Sequence, residues 1–192
     1  MPETASDFET WFGASQVVLP DGTPRPVFHG TQAAFDAFDM EMLGVNTPLA
    51  VSKLGAFFSG TRTSPRALYA RMDHSKPGRV ITAFLALRNP AVIGAAEFYS
   101  HVTPDQVESL RTRLLAVAHD GIIVKGGRKF HNADHFVAFE AAQIHIVQAC
   151  AAQPVRSHTG PGVSAVLARG WIDSQKPPLT VLPTSKRART PS

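Results

Sequence analysis

Apolar and polar positions over the first 150 residues fall into short runs divided by strong turn signals. Residues 5–13 read as a short helix, with Ser6 or Asp7 as its cap, Glu9 in the first turn and Gly13 as its stop. Pro20-Asp21-Gly22 is a turn signal between β-branched and aromatic stretches. It predicts a hairpin whose second strand carries Val27, Phe28 and His29. Residues 32–50 show no sustained period and read as loop with a helical turn. A short apolar strand follows over 54–59. Ser64-Pro65 then opens a helix over 65–72, with proline in its first turn.

Residues 80–87 are a continuous apolar run, the pattern of a buried strand, and Asn89-Pro90 breaks it. Thr103-Pro104-Asp105 caps an amphipathic helix that the pattern carries to His119. Val107, Leu110, Leu114, Leu115 and Ala118 form its stripe. Asp120-Gly121 turns the chain into a strand at Ile122, Ile123 and Val124. A glycine-rich basic loop leads to further strands over 135–139 and 144–147. Six or seven short strands with two or three helices predict an α+β domain with a mostly antiparallel sheet core.

Composition changes this picture mainly at its end. Apolar residues make up 44% of the 192 residues, enough for a core. The net charge of +4 is uneven. Residues 151–192 hold six Lys/Arg and one Asp, and residues 1–150 hold 13 Lys/Arg and 14 Asp/Glu. The expected globular part, residues 5–150, is therefore near neutral, and the basicity lies in a Pro- and Ser-containing tail that reads as flexible. A duplex-binding fold more often carries a basic face on its folded part, so nucleic acid is the weaker partner reading; a basic tail still allows phosphate contacts. The acidic amino terminus lacks the apolar stretch of a secretory signal, and no apolar run reaches the ~20 residues of a membrane span. A lone cysteine, Cys150, points to a reducing compartment. The expectation is a cytoplasmic protein, or one delivered into a target cell by a route that needs no signal peptide.

Metal and phosphate-loop chemistry find no anchor. His131 and His135 stand four apart, but at a loop–strand junction, where that spacing does not share a face. No glycine-rich phosphate loop or nucleophile elbow occurs. Three segments stand out instead: Val27-Phe28-His29-Gly30-Thr31; Gly55-Ala56-Phe57-Phe58-Ser59, with Ala67-Leu68-Tyr69-Ala70 shortly after; and the stretch from His135-Phe136-Val137-Ala138-Phe139 to Gln143-Ile144. In this order they resemble the ADP-ribosyltransferase superfamily of the diphtheria-toxin and PARP type, with its histidine–tyrosine–glutamate triad. The resemblance is closer to the domains of phage polyvalent proteins and bacterial toxins. Those carry a similar leading segment, here Phe8-Glu9-Thr10-Trp11-Phe12-Gly13, an Asn-Pro, here Asn89-Pro90, and an Asp-Gly before a strand, here Asp120-Gly121. It covers about residues 7–147.

The resemblance implies a split, mostly antiparallel sheet with two or three helices. It also implies NAD as the substrate: a mono-ADP-ribosyltransferase, as an effector, toxin or phage-derived modifier. The acceptor would be a macromolecule, first a protein and alternatively a nucleic acid, and not a membrane. His29 would bond the adenosine ribose, the Gly30 backbone would hold the carboxamide, and Phe57 and Tyr69 would flank the nicotinamide. Thr31 and Ser59 would be further donors. Eight residues before Gln143 the family has its catalytic glutamate; this chain has His135. Three readings stay open. His135 substitutes for the glutamate, or a one-residue bulge brings Asp134 into its place, or the site has lost catalysis and the domain is a binding module.

Overall fold

The computed structural model describes residues 5–45, 47, 49–63, 78–126 and 133–150. The expected helix over 65–72, with Tyr69, and the basic tail lie outside them. Helix α1 spans Ala5–Phe12. It ends where Gly13 takes a left-handed φ of +51° and its N–H reaches back to the Glu9 carbonyl. The strands are β1 (Val27–Thr31), β2 (Ala56–Ser59), β3 (Arg79–Leu85), β4 (Ala91–Gly94), β5 (Gly121–Lys125), β6 (His135–Ala138) and β7 (Ile144–Cys150). Helices α2 (Ala95–Phe98) and α3 (Pro104–Ala116) lie between β4 and β5.

The seven strands form one sheet in the order β4-β5-β6-β2-β1-β3-β7, antiparallel except for the parallel pair β4–β5. The parallel pair follows from the crossover that α2 and α3 supply. One join in this sheet is minimal: β1 and β2 pair only at Phe28 and Ser59. The sheet is therefore two halves, β4-β5-β6-β2 and β1-β3-β7, hinged on a single residue pair.

Alternation along the strands builds a core on each face. Ile122, Val124 and Val137 pack on one face against Phe98 of α2, Val107, Leu110 and Leu114 of α3, and Leu54. Val27, Phe58, Leu85, Phe136 and Ala138 form the other core, with Val17. The cap of α3 is as the sequence reads. Thr103 Oγ1 accepts from the Gln106 N–H, and Gln106 Oε1 accepts from the Thr103 N–H.

Three expectations need correction. Residues 24–31 do not form a hairpin with the strand before them. The turn at Asp21-Gly22 exists, but only a bridge between Val18 and Pro24 joins its arms. The next rung would be the Val17 N–H on the Arg25 carbonyl, but Ser15 Oγ takes that N–H, and β1 pairs with β2 and β3 instead. Strand β4, unexpected from the sequence, makes up the count. Helix α3 stops at Ala116 rather than His119, because Ala118 takes φ +60° and the His119 N–H closes on the Leu114 carbonyl. Leu115 leaves the buried stripe and is half exposed. Among the described residues, no helix is long and apolar enough to cross a membrane.

Gly55, just before β2, shows why this position has no side chain. A Cβ there would collide with the Ala138 carbonyl and lie 2.9 Å from Val137 Cγ1. Gly55→Ala is therefore expected to cost ~3 kcal/mol, at the upper end of overpacking. Urea unfolding measures this as a lowered midpoint; an unchanged midpoint would mean that β2 and β6 are not this close.

Candidate active site

The alternation that puts Val27 in one core also sends His29 to that face. Its imidazole lies among Phe38, Phe58 and Phe35, with ring centroids 5.0, 5.7 and 6.3 Å away. Nδ1 stands 2.8 Å from the Phe57 carbonyl oxygen. A carbonyl only accepts, so Nδ1 carries the hydrogen, and the neutral ring keeps a lone pair at Nε2. Burial pushes the His29 pKa below the ordinary imidazole value, and the bond to Phe57 opposes this only in part. The ring is neutral at pH 7.

That bond also describes an opening in the sheet. Counting on from Phe28 and Ser59, a regular antiparallel ladder would set Gly30 opposite Phe57. No such pair forms, and the imidazole takes the Phe57 carbonyl instead. The Phe57 carbonyl thus faces the β1 side. Backbone groups two residues apart in a strand face the same edge, so Ser59 faces β1, Phe28 faces Ser59, and Gly30 turns its N–H and C=O into the opening.

The loop after β1 is tied down. Arg79, opposite Thr31 in β3, donates to the Ala33 and Phe35 carbonyls at 3.0 and 2.6 Å and lies over the Phe35 ring. Thr31 and Ser59, expected as ligand donors, both serve their own turns. Thr31 Oγ1 accepts from the Ala33 N–H, and buried Ser59 Oγ accepts from the Thr61 N–H. The Thr31 hydroxyl still has a hydrogen to donate, while the Ser59 and Thr61 hydroxyl oxygens lie 3.5 Å apart.

His135 begins β6, directly across from Ser59 on one side and Val124 on the other. It shares its face with Phe57, which packs on Phe98 at 5.9 Å. His135 Nδ1 lies 2.6 Å from the Tyr99 hydroxyl oxygen. Burial lowers its pKa too, against an upward pull from the Asp134 charge.

Asp134 points elsewhere. The β2–β6 register runs without a bulge from Ala56 to Ser59, so the slip that would bring Asp134 into the position of His135 does not occur. Its carboxylate accepts from the Gly126 N–H at 3.1 Å and from Lys125 Nζ at 3.0 Å, with Arg25 at 3.7 Å. Burial alone would raise its pKa, but the Gly126 and Lys125 bonds and the two positive charges bring it below the usual carboxyl value. Two cations and a backbone donor on the side away from His135 hold it there.

The strands bearing His29, Gly30, Phe57, Ser59 and His135 are thus neighbours, β1-β2-β6. His29 reaches the opening from one face of the sheet, and Phe57, Ser59 and His135 stand on the other. Tyr69 lies outside the described residues. Sequence reasoning missed Tyr99, Phe35, Phe38 and Arg79. The chain has only two tyrosines, which was the one available sign for Tyr99.

The two partly buried histidines make stability depend on pH. Between their lowered folded values and the ordinary 6.5, the unfolded chain binds more protons than the folded one. Stability therefore rises with pH in that window and is lost as pH falls below 6.5. Urea midpoints should be flat from pH 7 to 8 and drop from pH 6.5 downward, less so in His29→Gln. A midpoint that rises on acidification would contradict the neutral assignment.

Residues 20–152 match the family described as ADP-ribosyltransferase in polyvalent proteins. The chain belongs to this family. No curated protein matches it. The match starts after α1, so the leading Phe8–Gly13 resemblance lies outside it. Domains of this class use NAD as substrate in general. The residues of this ADP-ribosyltransferase domain fit such a group on three grounds. A glycine edge with an N–H and a C=O directed into an opening suits a carboxamide. A neutral imidazole with a lone pair suits a ribose hydroxyl. The half-buried Phe57 ring suits a flat heterocycle.

Proposed function

We propose that this domain is a mono-ADP-ribosyltransferase that moves ADP-ribose from NAD to a macromolecular acceptor with release of nicotinamide. The observation that carries the proposal is the His29–Phe57 bond across the opened β1–β2 join. It leaves the Gly30 backbone edge directed into the same gap that a protonation-fixed imidazole lines.

NAD supplies the ADP-ribosyl group and the nicotinamide leaving group. Gly30 holds the carboxamide through its N–H and C=O. His29 Nε2 accepts from a hydroxyl of the adenosine ribose. Phe57 packs against the nicotinamide, with Tyr69 as its counterpart by family resemblance. His135 stands where the family has glutamate and accepts from the hydroxyl next to the reacting carbon. Its neutrality matters, since an imidazolium would oppose the positive charge that develops on the ribose. The preferred acceptor is a protein, in keeping with the near-neutral charge of residues 1–150; nucleic acid is the alternative. An effector, toxin or phage-derived role is consistent with the family.

A second reading has its own observation. The position of the glutamate holds a histidine whose Nδ1 is already bonded to Tyr99, which favours a binding module that has lost catalysis. Incubation with NAD labelled in the nicotinamide ring separates the two. Free labelled nicotinamide above the protein-free blank supports the enzyme. Saturable NAD binding without release supports the module, and no binding at millimolar NAD ends the enzyme reading.

A further inference from the structure

We infer that Arg79 is a positioning residue for NAD: its guanidinium pins the segment after β1, so that Phe35 and Phe38 hold the His29 imidazole at the opened join. This rests on the functional reading above.

Arg79 stands directly opposite Thr31 in the β1–β3 ladder, and Ile81 stands opposite His29. Opposed residues of an antiparallel pair share a face. Arg79 therefore reaches over the face that carries His29, beside the point where β1 ends. Its Nε donates to the Ala33 carbonyl at 3.0 Å and its Nη2 to the Phe35 carbonyl at 2.6 Å. A guanidinium only donates and stays charged, so each bond has one possible direction. The same group lies 5.6 Å from the centre of the Phe35 ring. Phe35 meets Phe38 at 5.0 Å and 70°, and Phe38 meets His29 at 5.0 Å and 79°. Phe38 also packs on Phe58 of β2, 5.2 Å away. One side chain of β3 thus reaches His29 through two rings.

The segment needs such a tie. Between Thr31 and the turn Met40–Met42 it has no helix or strand of its own. Ala33, Ala34, Asp36 and Ala37 are exposed, whereas Phe35 and Phe38 are half-buried. Lysine could not do the work of this arginine. A single ammonium on a flexible stem cannot span two carbonyls and lie over a ring at once. In the proposed function His29 grips the adenosine ribose, away from the bond that breaks. A loosened grip there weakens the hold on NAD in the ground and transition states alike, so it appears in KM rather than in kcat.

Arg79→Lys keeps the charge and loses the fork. The KM for NAD should rise about tenfold with kcat nearly unchanged. The dissociation constant for NAD, which needs no turnover, should rise with it. NMR contacts between the Phe38 and His29 ring protons should weaken, while those between Phe57 and Phe98 persist. Unchanged Phe38–His29 contacts, an unchanged affinity for NAD, or a fall in kcat alone overturns the inference. In the wild-type protein, slow solvent exchange of the Arg79 Nε–H supports the clamp. Fast exchange refutes it even if the variant fails to fold. Wild-type protein that binds no NAD overturns the functional reading instead, whatever the ring contacts show.

Discussion

Alanine at position 29 lowers kcat/KM for nicotinamide release by about 100-fold, the scale seen when one preorganised polar contact is removed from an active site. Two losses combine. The ring's Nε2 lone pair no longer meets the ribose, and the Phe57 carbonyl loses the imidazole donor that spans the opening. An orphaned buried carbonyl costs about 1–3 kcal/mol, and the space among Phe35, Phe38 and Phe58 empties. Either the β1–β2 ladder closes over Gly30, or the gap collapses onto the phenylalanines. The variant should stay folded by circular dichroism with a lowered Tm. Release within threefold of the wild type would remove His29 from the site.

The second large effect runs the other way. Glutamate at position 135 should raise nicotinamide release by about tenfold or more, whereas His135→Ala should lower it. A carboxylate can accept from two hydroxyls and carries the negative charge that a neutral imidazole lacks. The Tyr99 hydroxyl lies beside this position, and the nearby Asp134 charge is met by Lys125 and Arg25. Steady-state kinetics on the two variants and the wild type check this. If His135→Glu is no better than His135→Ala, position 135 does not face the reacting ribose.

Much of this architecture was legible in the residue pattern, for reasons that also explain the failures. Runs such as 80–87 and the Thr103 cap are local signals, and the fold keeps them because burial and backbone satisfaction agree with propensity. Strand β4 escaped notice because four residues after a proline show too little alternation, and its pairing with β5 is decided by the α2–α3 crossover. The hairpin failed on a contact that turn signals do not show, Ser15 Oγ taking the Val17 N–H that would have carried the next rung. Motif order led to His29, Gly30, Phe57 and His135, since collinear segments of one family land on adjacent strands. It could not find Tyr99, which meets His135 across 36 residues through the docking of a short helix. Nor could it show that Lys125, Arg25 and Gly126 converge on the Asp134 carboxylate, which no spacing reveals.

The central claim is that β1, β2 and β6 line one dinucleotide cleft at the opened join. Backbone amide NMR during an NAD titration tests it residue by residue. Saturable shifts centred on Gly30, Phe57, Ser59 and His135, with the β4 and β7 edges unmoved, are the predicted outcome. Shifts confined to those outer edges, or none at millimolar NAD, would contradict it.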